Sequence, residues 1–409
     1  MLKIGLTGGI ASGKSVVAAR LSERGALLVD SDVLAREVVE PGSPGLALVV
    51  EEFGSEILDP KGKLDRAALG AIVFAHPERR TALNNIIHPL VRDKAAAIIA
   101  SAGADIVVQD IPLLVETGQG RRFHLVVVVD APDAVRIDRM AEHRGMSRDE
   151  AATRMAAQAS RDERLAAADI VLDNSGGIEA IRTAVDSLWE ERLVPFARNL
   201  AVGLRAERHG GPALTTADPT WAAKARRLCE RLEAAAPGQI LAVEHVGSTS
   251  VPGLDARDVL DLQVAVPDLD TADRIAPLLA AAGFPKVPRV TADSPHEPHP
   301  DPAKWAKRFH ANADPGLAVD VHVRRPGSPG WRFALCFRDW LRATPEAAAA
   351  YAAEKRRLAA LHASDPTTEG YAEAKEAWFR DVADPGMGEW AQRTGWSPPS
   401  YSSSRVSTA

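Results

Sequence analysis

Residues 8–15 of the chain are Gly8, Gly9, Ile10, Ala11, Ser12, Gly13, Lys14 and Ser15, which satisfy the spacing G-x-x-x-x-G-K-[ST]. That spacing serves one chemical task, wrapping a polyphosphate. Successive backbone N–H groups must converge on the anion, and a helix start adds partial positive charge. Gly8 and Gly13 let the backbone turn and approach closely where a Cβ would intrude. Lys14 is placed to reach β- and γ-phosphates, and the Ser15 hydroxyl to meet Mg²⁺. The ligand implied is ATP or a related nucleoside triphosphate. Further candidates stand at the ends of apolar runs. Asp32 follows Ala26–Asp30, where a carboxylate at a strand end faces the ligand crevice of an open α/β sheet. There it can take a proton from an attacking hydroxyl or hold Mg²⁺ through water; its alternative is to cap the next helix. Asp110 ends the run Ile106–Gln109 in the manner of an acid that orients Mg²⁺. Seven arginines, Arg136, Arg139, Arg144, Arg148, Arg154, Arg161 and Arg164, crowd the stretch after Pro132. They fit a helical lid that neutralises a transferring phosphoryl group, with Arg139 the candidate for that contact and the others mainly a solvated face.

These groups need a scaffold. Leu2–Thr7, Ala26–Asp30, Ile106–Gln109, Leu125–Asp130 and Ile170–Asp173 read as five strands. The unbroken apolar run Leu125–Val129 predicts a parallel sheet covered on both faces. Apolar residues at helical spacing between Leu64 and Ala100 predict a helical insertion beside the sheet. His76-Pro77 and His88-Pro89 are expected to break it. Asn174–Gly177 is a turn that carries Asn174 toward the nucleotide and leads into a helix over 178–193.

The bulk properties limit the alternatives. A chain of 409 residues is expected to form two or three domains. A formal net charge of −6 gives no global electrostatic basis for a nucleic-acid or membrane partner. No apolar run approaches the ~20 residues of a membrane helix. The loop begins within ten residues of Met1, so no signal peptide is expected. The two cysteines, Cys229 and Cys336, suit a reducing compartment. The expectation is a cytoplasmic protein, monomeric or weakly oligomeric, with no nucleic acid and no membrane among its partners.

Taken together, Gly5–Ser15, Asp30–Arg36, Asp110–Glu116 and Ala168–Gly176, with Ile87-His88-Pro89, make residues 1–205 resemble the dephospho-CoA kinase family. The resemblance implies a P-loop kinase with a five-stranded parallel sheet, helical substrate insert and lid. It implies ATP and Mg²⁺ as cofactors and dephospho-CoA as the partner substrate. The γ-phosphoryl would pass to the ribose 3′-hydroxyl, with Asp32 as base, Lys14 and Arg139 stabilising charge, Ser15 on Mg²⁺ and Asn174 near adenine. Ser31 stands where alanine is common in the family. Two other readings share the loop: another small-molecule or nucleotide kinase, and a regulatory module that binds ATP without turnover.

Residues 206–220 are turn-rich and read as a linker. Trp221–Ala236 then shows a helical apolar face. Ile240–Val246, Val259–Val266 and Leu317–Val323 read as strands, and Asp320 and His322 share a face. Glu244–Leu254, with Phe337–Arg342 and the helix through Tyr351 and Lys355, makes residues 221–392 resemble the GrpB-like family, whose fold is an α+β nucleotidyltransferase. In active nucleotidyltransferases a Gly-Ser turn holds phosphate and acids on adjoining strands bind Mg²⁺. Here Gln263 occupies the place of one acid. Asp261, Asp320 and His322 remain as metal ligands, one carboxylate short. Ligand binding or a structural role is therefore expected above catalysis. His296, His299 and His310 with Asp293 and Asp301 lie among prolines and read as an extended loop rather than a metal site. The tail over 393–409 is expected to be disordered.

Overall fold

The computed structural model describes residues 1–401. The chain divides into two compact units, Met1–Trp189 and the residues from Glu190 onward.

The first unit is built on five parallel strands: β1 (Leu2–Gly8), β2 (Leu27–Asp30), β3 (Ile106–Asp110), β4 (Leu125–Asp130) and β5 (Ile170–Asp173). Their order is β2-β3-β1-β4-β5. All six residues of β4 are buried, as cover on both faces requires. The strand carboxyl ends bring Gly8, Asp30, Asp110, Asp130 and Asp173 to one edge, which is where β1 enters the Gly8–Ser15 loop and helix Lys14–Glu23 begins. The insertion forms helices Arg66–Ala75 and Pro77–Ala102. The first break falls at His76-Pro77 as expected. The second does not occur, and Pro89 lies inside the longer helix. Ile86, Ile87, Leu90 and Val91 flank it and pack against Val38, Leu46, Val49 and Phe53. That packing on both sides of Pro89 carries the helix past the missing N–H. Three helices, Asp133–Arg144, Arg148–Ala156 and Arg161–Ala167, make up the basic segment.

The second unit holds a four-stranded sheet of β6 (Ala242–Val246), β7 (Val259–Ala265), β8 (Arg308–Ala311) and β9 (Ala318–Arg324), in the order β6-β7-β9-β8. Only the β7–β9 pairing is parallel. Helix Trp221–Ala235 covers the sheet through Trp221, Ala225, Leu228 and Leu232. Three features differ from the sequence reading. Residues 206–220 are tied into this unit: Ala206 N donates to Asn312 O, and Thr215 and Ala256 form a bridge. Helix Val194–Val202 belongs here too, since Asn199 Nδ2 donates to Ala313 O and Arg192 pairs with Asp314. The last helix, Asp384–Thr394, extends past residue 392. Beyond it Trp396 Nε1 donates to Asp339 Oδ2, and Tyr401 packs edge-on against Trp331, so 393–401 are held by apolar and hydrogen-bonded contacts. Residues 402–409 lie outside the described part. Among the described residues, no helix is long and apolar enough to cross a membrane.

Candidate active site

The phosphate loop is shaped by its own sequence. Ala11 at φ 60° and Gly13 at φ 90° take the left-handed backbone that turns the chain around an anion. A Cβ on Gly8 would come within 2.6 Å of both Ser12 Oγ and Val129 O. At Gly13 it would overlap the Asn174 amide. The loop is braced from three directions. Asn174 Nδ2 donates to Ser12 O (2.7 Å), Arg136 Nε to Ile10 O (2.9 Å), and Ile10 N to Gln158 Oε1 (2.8 Å).

Six of the seven arginines separate by role. Arg139 lines the cavity over the loop, and its Nη2 donates to Asn174 O (2.9 Å). Arg144 lines the same cavity. Arg136 and Arg164 are buried behind the loop, Arg161 pairs with Asp130, and Arg148 with Asp138. Seven arginines at helical spacing look alike in the sequence; burial, with 2 % of its surface exposed, and the bond to Ile10 O set Arg136 apart.

The cavity above the loop has a volume of about 650 Å³ and is lined by every residue from Gly8 to Ser15, together with Asp32, Arg139 and Asn174. Lys14 Nζ forms an ion pair with Asp110. Burial pushes the Asp110 carboxyl up from the ordinary aspartate value; Lys14 draws it down, and Asp30 and Asp32 push it up.

The two acids after β2 divide their work. Asp30 is the cap of helix Ser31–Glu37: its Oδ1 accepts from Asp32 N (2.8 Å) and Val33 N (3.1 Å). Asp32 is thereby free of capping and faces the loop cavity. It also lines a second cavity of about 330 Å³, walled by the helical insertion and the segment after β3. His88 lines this second cavity as well.

In the second unit a cavity of about 420 Å³ is lined by Gly247, Ser248, Asp261, His322, Lys375 and several aromatic rings. Of the suggested metal ligands, Asp261 and His322 line it and Asp320 does not. Lys307 Nζ and Arg324 Nη2 lie 3.0 and 3.1 Å from His322 Nδ1. Both groups only donate, so Nδ1 accepts and the ring hydrogen sits on Nε2, toward Asp261 Oδ1 at 3.6 Å. Burial, then Lys307 and Arg324, hold His322 below the ordinary histidine value. Asp320 pairs with Arg208 at 3.0 Å. Among the described residues, no group of three or more His, Cys, Asp or Glu side chains is arranged to hold a metal ion. His296 instead pairs with Asp384 and Glu376, and His310 is buried on β8 with Nδ1 against Phe284 O.

Comparison with known proteins covers both units. A family model described as dephospho-CoA kinase matches residues 2–180, and one described as GrpB protein matches residues 212–384. A protein of Mycolicibacterium paratuberculosis named dephospho-CoA kinase is 47% identical over 412 aligned residues, covering 97% of this chain and 100% of that protein. A Streptomyces avermitilis protein of the same name is 51% identical over 192 residues, which cover 47% of this chain and 94% of that protein. The crystal structure of conserved protein GrpB from Enterococcus faecalis is 23% identical, with a TM-score of 0.37, covering 44% of this chain and 99% of that one.

Proposed function

The chain belongs to the dephospho-CoA kinase family, and from that premise we propose how its residues carry the reaction. The γ-phosphoryl of ATP is transferred to the ribose 3′-hydroxyl of dephospho-CoA, giving coenzyme A and ADP, the last step of coenzyme A synthesis. The observation that carries the assignment of residues is the position of Asp32, where the loop cavity and the second cavity meet. A donor in one cavity and an acceptor in the other share Asp32 as their common wall. An alcohol is a poor nucleophile until a carboxylate accepts its proton, and Asp32 is the acid not committed to capping. Backbone N–H groups of residues 8–15 grip the triphosphate, and Lys14 exchanges Asp110 for the β- and γ-phosphates. Arg139, anchored on Asn174 O, adds charge where the phosphoryl group passes. Asn174 fixes the loop through Ser12 O and lines the nucleotide cavity, and the family resemblance assigns it a place near adenine.

The donors present fit Mg²⁺. Ser15 lines the cavity and Asp110 lies beside Lys14, hard oxygen donors of the kind that Mg²⁺ takes alongside phosphate and water. Ser15 Oγ would hold it, with Asp110 orienting its water; when bound it neutralises charge on the β- and γ-phosphates. The enzyme works in the cytoplasm on small molecules, without nucleic acid.

The second unit is proposed to bind a ligand or support the fold rather than to catalyse. Gln263 is buried and spends its amide on Trp331 O and Arg324, and the hydrogen on His322 Nε2 leaves that nitrogen no lone pair for a metal. Nucleotide incorporation by residues 190–409 with Mg²⁺ or Mn²⁺, lost on Asp261→Ala, would contradict this. The kinase reading is tested by product analysis with an acceptor panel. Coenzyme A from dephospho-CoA supports it, whereas phosphorylation of nucleoside monophosphates alone, or ATP binding without acceptor-dependent ADP release, opposes it.

A further inference from the structure

The second cavity at Asp32 has a charge pattern that phosphoryl transfer to an alcohol does not by itself require. His88 and Arg92 are four apart on helix Pro77–Ala102 and therefore share a face. Arg122 comes from a different element, the short turn Gln119–Arg122 ahead of β4. All three line the cavity, and Asp32 is the only carboxylate among its lining residues. Among the described residues no acid pairs with Arg92, Arg122 or His88. The only hydrogen bond of the Arg122 guanidinium goes to Gln119 Oε1 at 2.9 Å, and Arg92 has none. The groups feel one another: loss of solvent and then the charge of Arg92 pull both His88 and Arg122 below their ordinary values.

Four other arginines of this unit are neutralised by acids: Arg20 by Asp186, Arg79 by Glu52, Arg148 by Asp138 and Arg161 by Asp130. Two guanidinium ions sharing a cavity without a counter-ion repel, and an anion placed between them relieves the repulsion. Planar forks with several N–H donors match phosphate oxygens in pairs. The triphosphate of ATP is not that anion, because the loop holds it in the other cavity. The anion must travel with the acceptor.

We infer that this cavity is a diphosphate subsite, in which Arg92 and Arg122, with His88 beside them, grip the 5′-diphosphate of the acceptor nucleotide and so hold its 3′-hydroxyl against Asp32. The inference rests on the reading of dephospho-CoA as acceptor. Its chemistry agrees with that molecule: the diphosphate is joined to the same ribose that carries the reacting hydroxyl, so cations must lie close to the base. Selectivity follows. An acceptor without the diphosphate would leave the two guanidinium ions facing each other.

The test is steady-state kinetics of the full chain as wild type, R92Q, R122Q and R92Q/R122Q, with dephospho-CoA and with adenosine, which lacks the diphosphate. Each substitution should raise KM for dephospho-CoA by roughly tenfold, the scale of a lost charge-assisted contact. kcat and KM for ATP should change by less than about threefold, and kcat/KM for adenosine should not change. R92K/R122K should recover part of the loss, because charge persists while the paired geometry does not. Thermal denaturation verifies that the variants fold. A folded double variant whose KM for dephospho-CoA stays near the wild-type value overturns the inference, as does an equal loss with adenosine. Failure of the wild type to phosphorylate dephospho-CoA would instead overturn the acceptor assignment itself, so the two failures are separable.

Discussion

Asp30 and Asp32 lie two residues apart at one strand end, and the account gives them opposite work. Asp30 accepts two backbone N–H bonds, at 2.8 and 3.1 Å, at the start of helix Ser31–Glu37. Asp30→Ala removes a helix cap, which costs about 1 kcal/mol, within a range of about 0.5–2. For a unit of this size that lowers Tm by roughly 2–4 °C. Turnover should fall only modestly, since the helix still carries Asp32. Asp32→Asn removes no cap and no packed group, because the side chain is exposed. Its Tm should stay within about 1 °C of wild type, as for a surface change away from structural features. Its kcat should fall about 10²–10⁴-fold, the usual contribution of a positioned base, while ATP still binds. Coupled ADP release gives kcat, nucleotide titration gives ATP affinity, and thermal denaturation gives Tm. The reasoning is refuted if Asp30→Ala abolishes turnover with Tm unchanged, or if Asp32→Asn retains wild-type kcat.

Other outcomes follow from the same geometry. Gly13→Ala should abolish ATP binding, because a Cβ at φ 90° would overlap the Asn174 amide; isothermal titration decides it. Lys14→Ala should abolish turnover and leave Asp110 buried without its cation, so its already raised pKa climbs further. A raised acid pKa means the folded state binds more protons than the unfolded, so the variant should lose stability relative to wild type as pH rises from 4 to 7. Lys14→Ala/Asp110→Asn should remove that pH dependence in thermal denaturation. His296 is raised to about 9 by Asp384 and Glu376. Its stabilisation of the second unit is complete below the ordinary histidine value and fades as pH rises through 9, a loss that His296→Gln should erase in a pH series of melts. Residues 1–189, the first compact unit, should form coenzyme A from ATP and dephospho-CoA when expressed alone, and a folded fragment without that activity would show that the second unit is required.

The phosphate loop could be read from the sequence because its ligand dictates the local chain: glycines at fixed positions, a strand before and a helix after. The five strands could be read for a similar reason, since burial on both faces leaves runs such as Leu125–Val129 with no polar interruption. What stayed hidden depends on packing between distant segments. Either Asp30 or Asp32 can cap the same helix, and only the hydrogen bonds tell which one does. Pro89 looked like a helix end, because the apolar contacts that carry the helix through it come from residues 38–53. Strand β8 has four residues and follows a proline-rich stretch, so His310 was read as part of a loop. His322 and Asp320 do share a strand face, but Lys307, Arg324 and Arg208 claim them from other segments. Arg92 and Arg122 are 30 residues apart on separate elements, and nothing in their spacing announces that they meet.

The most direct measurement is a crystal structure of the full chain with dephospho-CoA and a non-hydrolysable ATP analogue. The account predicts the ribose 3′-oxygen within hydrogen-bond reach of the Asp32 carboxylate, about 2.6–3.2 Å, and in line with a γ-phosphate seated on residues 8–15. An acceptor bound elsewhere, or an Asp32 carboxylate turned away from an otherwise complete complex, would contradict it.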